Sequence, residues 1–153
     1  MAHSLVPAAY VLLLRGHPGA EEVLLHLRQN TGYRDGHWAL VAGHVEAGET
    51  AREAAVREAA EEAGVVVDPV DLEPITVVHR IEVGGPPVEQ RVDFFFATRR
   101  WSGAPSIREP QKAAEQRWFS VRALPEPGVP QERLVLDAYV RGRLQPLLET
   151  TEH

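Results

Sequence analysis

Residues 43–65 constrain this chain more than any other stretch. Gly43 is followed six positions on by Glu49, and then by Arg57-Glu58, Glu61-Glu62, Gly64 and Val65. Between Thr50 and Ala63 there are six alanines and no Gly or Pro, a composition that predicts a helix. On that helix Glu58, Glu61 and Glu62 form an i, i+3, i+4 set and share one face. Thr50 with Glu53 three residues on predicts a capping box, and Gly64 the left-handed residue just past the last turn. Upstream, residues 40–49 read as a buried strand that turns through a loop containing Gly43 and Gly48 into the helix.

Val56, Ala59, Ala60 and Ala63 are expected on the opposite side, an apolar stripe of small residues that lets the helix lie close to a sheet. Three adjacent carboxylates repel one another unless they splay into water or a divalent cation neutralises them. An all-oxygen set favours Mg²⁺ or Mn²⁺ over zinc. A plain solvated face is the alternative, with Glu53–Arg57 and Arg57–Glu61 as ordinary i, i+4 ion pairs. The glycines upstream are not needed by a merely solvated helix.

The set Gly43, Glu49, Arg57, Glu58, Glu61, Glu62, Gly64 and Val65 resembles the signature of the Nudix hydrolases (MutT-like), matched at every charged and glycine position. Ala59 stands where a larger aliphatic residue is usual, and Leu40-Val41-Ala42-Gly43 replaces the common Leu-Pro-Gly-Gly. The resemblance implies an α/β fold, an α/β/α sandwich with a mixed central sheet, over a single domain spanning residues 1–153. It also implies hydrolysis of a pyrophosphate bond with Mg²⁺ or Mn²⁺ as cofactor. Glu58, Glu61 and Glu62 would be metal ligands together with the Ala42 carbonyl, and Glu49 and Arg57 would support them. In many relatives a further carboxylate comes from a loop before a strand that carries a tryptophan. Here Trp118 marks that strand, and of the candidates Glu109 and Glu115, Glu109 is preferred because Glu109-Pro110 lies in a proline-punctuated loop.

Composition agrees with one compact core: 153 residues, 44% apolar and 25% charged. A formal charge of −6 gives no general attraction to long nucleic acids or anionic membranes. Absence of cysteine excludes disulfides and thiolate chemistry, including that of the isopentenyl diphosphate isomerases that share the Nudix fold. The apolar stretch 6–14 is too short to span a membrane, so a cytoplasmic location is expected, and a homodimer is an allowed assembly.

Strands are predicted at 8–14 and 22–27 as an opening hairpin, at 38–42, at 75–83 and 88–99 as a second hairpin-like pair, and at 116–120. Residues 29–37 and 101–112 read as loops. Pro130 starts a C-terminal helix over 131–144, with Leu134, Ala138 and Val140 inward, and 149–153 is expected to be a frayed tail.

For the substrate, Arg28 is a candidate phosphate contact, and Tyr33 and Trp38 are candidates for stacking on a nucleobase. His37 and His44 are read as local hydrogen-bond partners. Family members specific for ADP-ribose, diadenosine polyphosphates or NADH carry a proline, a tyrosine or an aromatic-proline motif downstream of the box. Arg80 and Glu82 stand fifteen and seventeen residues after Val65 instead, and residues 75–85 hold neither proline nor tyrosine. A nucleoside triphosphate or nucleotide sugar is therefore the expected substrate. A non-catalytic nucleotide sensor and an acidic docking domain are the alternatives.

Overall fold

In the computed structural model, which describes residues 2–86 and 90–152, the hairpin at the start of the chain becomes the centre of the sheet. Strand β1 (Val6–Arg15) alternates its side chains between two cores: Tyr10, Leu12 and Leu14 enter one, Val11 and Leu13 the other. A strand buried on both faces reads as a continuous apolar run, as 8–14 does. β1 pairs antiparallel with β2 (Glu22–Arg28) and β4 (Val41–His44), and parallel with β6 (Arg91–Thr98). The mixed sheet of eight strands runs β3-β2-β1-β6-β5-β8, with β4 on β1 and β7 on β2. The other strands are β3 (Trp38–Ala39), β5 (Glu73–Glu82), β7 (Ala113–Ser120) and β8 (Leu147–Glu152).

Helix α1 (Ala51–Ala63) covers one face through Ala54, Ala55, Ala59 and Ala63; helix α2 (Pro130–Val140) covers the other through Val135 and Leu136. This is the α/β/α sandwich expected. The capping box is present, and Gly64 closes α1 at φ 69° with its N–H on the Ala59 and Ala60 carbonyls.

Several expectations need correction. On α1, Ala60 is exposed and Val56 only half-buried, because the stripe facing the sheet runs through Ala54 and Ala55. Helix α2 ends at Val140, and its buried face is Gln131, Glu132, Val135 and Leu136; Leu134 is exposed, and Ala138 and Val140 are half-buried. The supposed tail forms β8, whose residues 147–152 pair in parallel with β5. The strand over 38–42 divides into β3 and β4. The expected strand start at Val88 lies outside the described residues.

Candidate active site

Glu58, Glu61 and Glu62 emerge from one face of α1 into a cleft of about 490 Å³, which Ala42, Gly43, Arg28, Tyr33, Glu109 and Lys112 also line. A Glu62 oxygen accepts from the Ala42 amide at 2.7 Å. Residue 42 therefore points its N–H away from β1, and in an extended strand its carbonyl turns the same way. Gly43 lets Glu58 lie against the strand: a Cβ there would overlap the Glu58 carboxyl in its present position. The acidic face and the strand thus meet at van der Waals distance.

Arg57 organises this wall. Its Nη2 donates to Glu49 Oε1 at 2.7 Å and to the His44 carbonyl at 3.0 Å; Nη1 lies 2.6 Å from Glu58 Oε1 and 3.3 Å from Glu61 Oε2. The hydrogen bonds from Arg57 hold the Glu49 carboxyl down to about 2, and Glu49 in turn raises the Arg57 guanidinium. Glu49 also accepts from the Glu46 amide, which fixes the loop before α1. The Glu53–Arg57 pair of the solvated-face alternative is not made: Glu53 reaches back to the Thr50 amide, and Arg57 is drawn into the carboxylate cluster instead.

Burial raises the Glu58 carboxyl and raises that of Glu62 well above the usual range, and repulsion from Glu109 adds to both. The Glu109 charge is therefore felt at the cluster. Glu115, the other candidate, pairs with Arg117 at 2.6 Å on the surface and does not line the cleft. Among the described residues no three His, Asp or Glu side chains stand ready-gathered in ligand geometry. The donor set nevertheless fits a hard divalent cation: it is all oxygen, it carries more negative charge than Arg57 offsets, and a cation in the cleft would let the raised carboxyls ionise together.

Elsewhere along the cleft wall, Arg28 donates from Nε to the Tyr33 carbonyl at 2.8 Å and from Nη2 to Thr31 Oγ1 at 3.0 Å, with its guanidinium 5.4 Å over the Tyr33 ring. Tyr33 is held by Gln131 of α2. Trp38, expected to stack on a base, is packed elsewhere: its ring meets Phe119 edge-on at 4.8 Å beside the core under α2, and it does not line the cleft. His37 makes a local contact to the Asp35 carbonyl, and His44 lines the cleft, where burial lowers its imidazole.

His26 and Glu132 are among the cleft residues that the sequence reading missed. His26 in β2 is pushed by burial down to about 4, so it is neutral at physiological pH. Glu132 in α2 is 5% exposed, accepts from the Leu40 amide at 2.6 Å, and burial pushes its carboxyl up to about 8. Apolar periodicity cannot find a carboxylate on a buried helix face: it points to Leu134, Ala138 and Val140, whereas the face turned inward carries Gln131, Glu132, Val135 and Leu136. Because the folded state holds the Glu132 proton up to about pH 8 while the unfolded chain releases it near the ordinary carboxylate value, the native state binds more protons between those limits. Stability should therefore fall as pH rises from 5 to 8, by roughly 1–4 kcal/mol from this group. Urea melts of wild type and Glu132→Gln at both pH values check this, the variant losing less stability over the interval.

The family model for the NUDIX domain matches residues 4–139. The chain belongs to the NUDIX family. Solved NUDIX structures share the architecture. A MutT NUDIX hydrolase from Burkholderia pseudomallei superposes with a TM-score of 0.76 at 25% identity, covering 88% of this chain and 97% of that one. A MutT protein from Methanosarcina mazei gives 0.72 at 20% identity, over 95% and 99% of the two chains. The NUDIX domain of Shewanella oneidensis NrtR, complexed with ADP ribose, gives 0.70 at 19% identity, over 93% and 90%. No curated protein matches the chain. As a NUDIX member the chain falls in a class that hydrolyses pyrophosphate bonds of nucleoside diphosphate derivatives. Among the described residues no helix is long and apolar enough to cross a membrane.

Proposed function

We propose that this chain is a single-domain, divalent-metal-dependent hydrolase that cleaves the pyrophosphate bond of a nucleoside diphosphate linked to another moiety, with nucleoside triphosphates or nucleotide sugars as its substrates. The observation that carries the reading is that one cleft gathers Glu58, Glu61, Glu62, Ala42 and Glu109 together with the basic and aromatic pair Arg28 and Tyr33.

Glu58, Glu61, Glu62 and the Ala42 carbonyl would hold Mg²⁺ or Mn²⁺, which when bound neutralises phosphate oxygens and polarises the bond to be broken. Arg57, braced by Glu49, keeps Glu58 and Glu61 turned toward that point. Arg28 spends Nε and Nη2 on its own loop, which leaves Nη1 for a phosphate oxygen, and Tyr33 offers its ring to the base. Glu109 faces the cluster from a separate loop, where it can accept the proton of the attacking water. The net charge of −6 points to a small nucleotide and away from long nucleic acids.

Two measurements bear on this reading. Phosphate release, with and without added phosphatase, is measured across nucleoside triphosphates, ADP-ribose, nucleotide sugars and dinucleotides in Mg²⁺ or Mn²⁺. Metal-dependent release is expected from triphosphates or nucleotide sugars; silence across the panel with nucleotide binding intact would make the protein a ligand-binding NUDIX domain. In the second, Glu109→Gln is expected to lower kcat by about 10²–10³-fold with Mn²⁺ affinity nearly unchanged. Unchanged turnover would remove Glu109 from the chemistry.

A further inference from the structure

The loop that carries Glu109 is fastened at both ends. On one side the Ser106 amide donates to the Ala63 carbonyl at 2.9 Å and the Arg108 amide to the Glu62 carbonyl at 3.3 Å, so the loop starts from the last turn of α1. On the other, Gln29 Nε2 donates to the Pro110 carbonyl at 2.8 Å, Asn30 Nδ2 to the Gln111 carbonyl at 3.1 Å, and the Gln29 amide to the Lys112 carbonyl at 2.9 Å. The Pro110 and Gln111 carbonyls lie before the start of β7, and the β2–β7 ladder shifts register between Leu27 and Arg28. Side-chain amides therefore take over where the backbone ladder stops.

Gln29 and Asn30 sit in sequence between Arg28 and Thr31-Gly32-Tyr33, a segment whose Arg28, Asn30, Thr31 and Tyr33 line the cleft. Asn30 is held at φ 54°, a left-handed conformation that Asn tolerates better than most residues. Glu109 itself closes a turn, its carbonyl accepting from the Lys112 and Ala113 amides. The only ion pair of its carboxylate among the described residues is a loose one, to Lys112 at 3.8 Å. Its placement is consequently set by the backbone of residues 106–112 rather than by a direct clamp.

We propose that Gln29 and Asn30 are positioning residues for Glu109, and that their side-chain amides tie its placement to the Arg28–Tyr33 segment that meets the ligand. The proposal rests on the hydrolase reading for its kinetic consequence and on the hydrogen bonds alone for its structural one. A one-ångström error in a proton acceptor is enough to slow a reaction without altering substrate binding. Neither residue needs to touch the reacting atoms.

The test uses Gln29→Met, which keeps shape and removes the donor, and Asn30→Gly, which accepts the same φ. Together they should lower kcat for the best substrate of the panel by about 3–10-fold with KM within about twofold, the scale expected for lost hydrogen bonds. In a Glu109→Gln background the same pair should cost less than about twofold, because the two effects act through one group. Amide exchange at Lys112 and Ala113 should accelerate in the variant without substrate, while that of α1 stays unchanged. An equal loss in both backgrounds, a loss confined to KM, or unchanged kcat would overturn the proposal. If the wild type hydrolyses nothing, the hydrolase reading fails separately; exchange at Lys112 and Ala113 then decides, and unchanged exchange overturns the tether.

Discussion

Glu62→Gln is expected to lower metal-dependent turnover by about 10³-fold, the scale seen when charge stabilisation at a reacting phosphate is removed, while leaving the protein folded. The amide keeps the size of the side chain and an oxygen that can still accept from the Ala42 N–H, so the join between α1 and β4 survives. What disappears is the negative charge. Glu62 is half-buried in the cleft wall, and its carboxyl is raised chiefly by burial, with Glu58 and Glu109 adding repulsion. A raised carboxyl holds its proton longer in the folded state, so stability from this position falls as pH climbs from the ordinary carboxylate value through the raised one. A neutral amide does not carry that slope. At neutral pH without metal the variant should therefore melt no lower than wild type, even as kcat collapses. Thermal melts beside steady-state kinetics check both halves, and a variant that unfolds would show that Glu62 serves the fold more than the site.

Gly43→Ala should cost about 10²-fold in turnover and no more than about 1 kcal/mol in stability. The three atoms nearest the added methyl are an oxygen and the carbon of the Glu58 carboxyl and the Glu58 Cγ, all of one side chain. A side chain can swing away from a methyl where a strand cannot. The fold therefore survives by moving Glu58 off its position beside Arg57 Nη1, and with it one oxygen donor of the cleft. Kinetics, a Mn²⁺ titration and a urea melt on the same sample separate the effects: weaker metal binding with a near-native melt is the expected pattern. A full-rate variant would mean that Glu58 has room the packing does not reveal.

Local chemistry made much of this legible in the sequence. The capping box, Gly64 and the Glu58, Glu61, Glu62 set depend on residues three or four apart, and all three stand where the spacing predicts. Strands β1 and β2 were marked by apolar runs bounded by Gly16 and Pro18-Gly19. Long-range packing was not legible. Trp38 could stack on a ligand or on Phe119, and only the tertiary structure decides for Phe119. β8 reads as a tail because residues 149–152 are polar, Glu-Thr-Thr-Glu; its order comes from pairing with β5, which no local pattern announces. Glu132 was passed over because a carboxylate on a helix is ordinarily solvated. The tether from Gln29 and Asn30 joins residues 81 positions apart, beyond what spacing can express.

On the proposed reading, the α1 carboxylates hold a divalent ion that makes pyrophosphate hydrolysis possible. It is tested most directly by following phosphate release from a nucleoside triphosphate while Mg²⁺ is titrated into chelator-treated wild-type protein. No release is expected before the metal is added, and a saturable rise afterwards, with saturation lost in Glu62→Gln. Release at the full rate in excess chelator, or a bound nucleotide left uncleaved at every Mg²⁺ concentration, would contradict it.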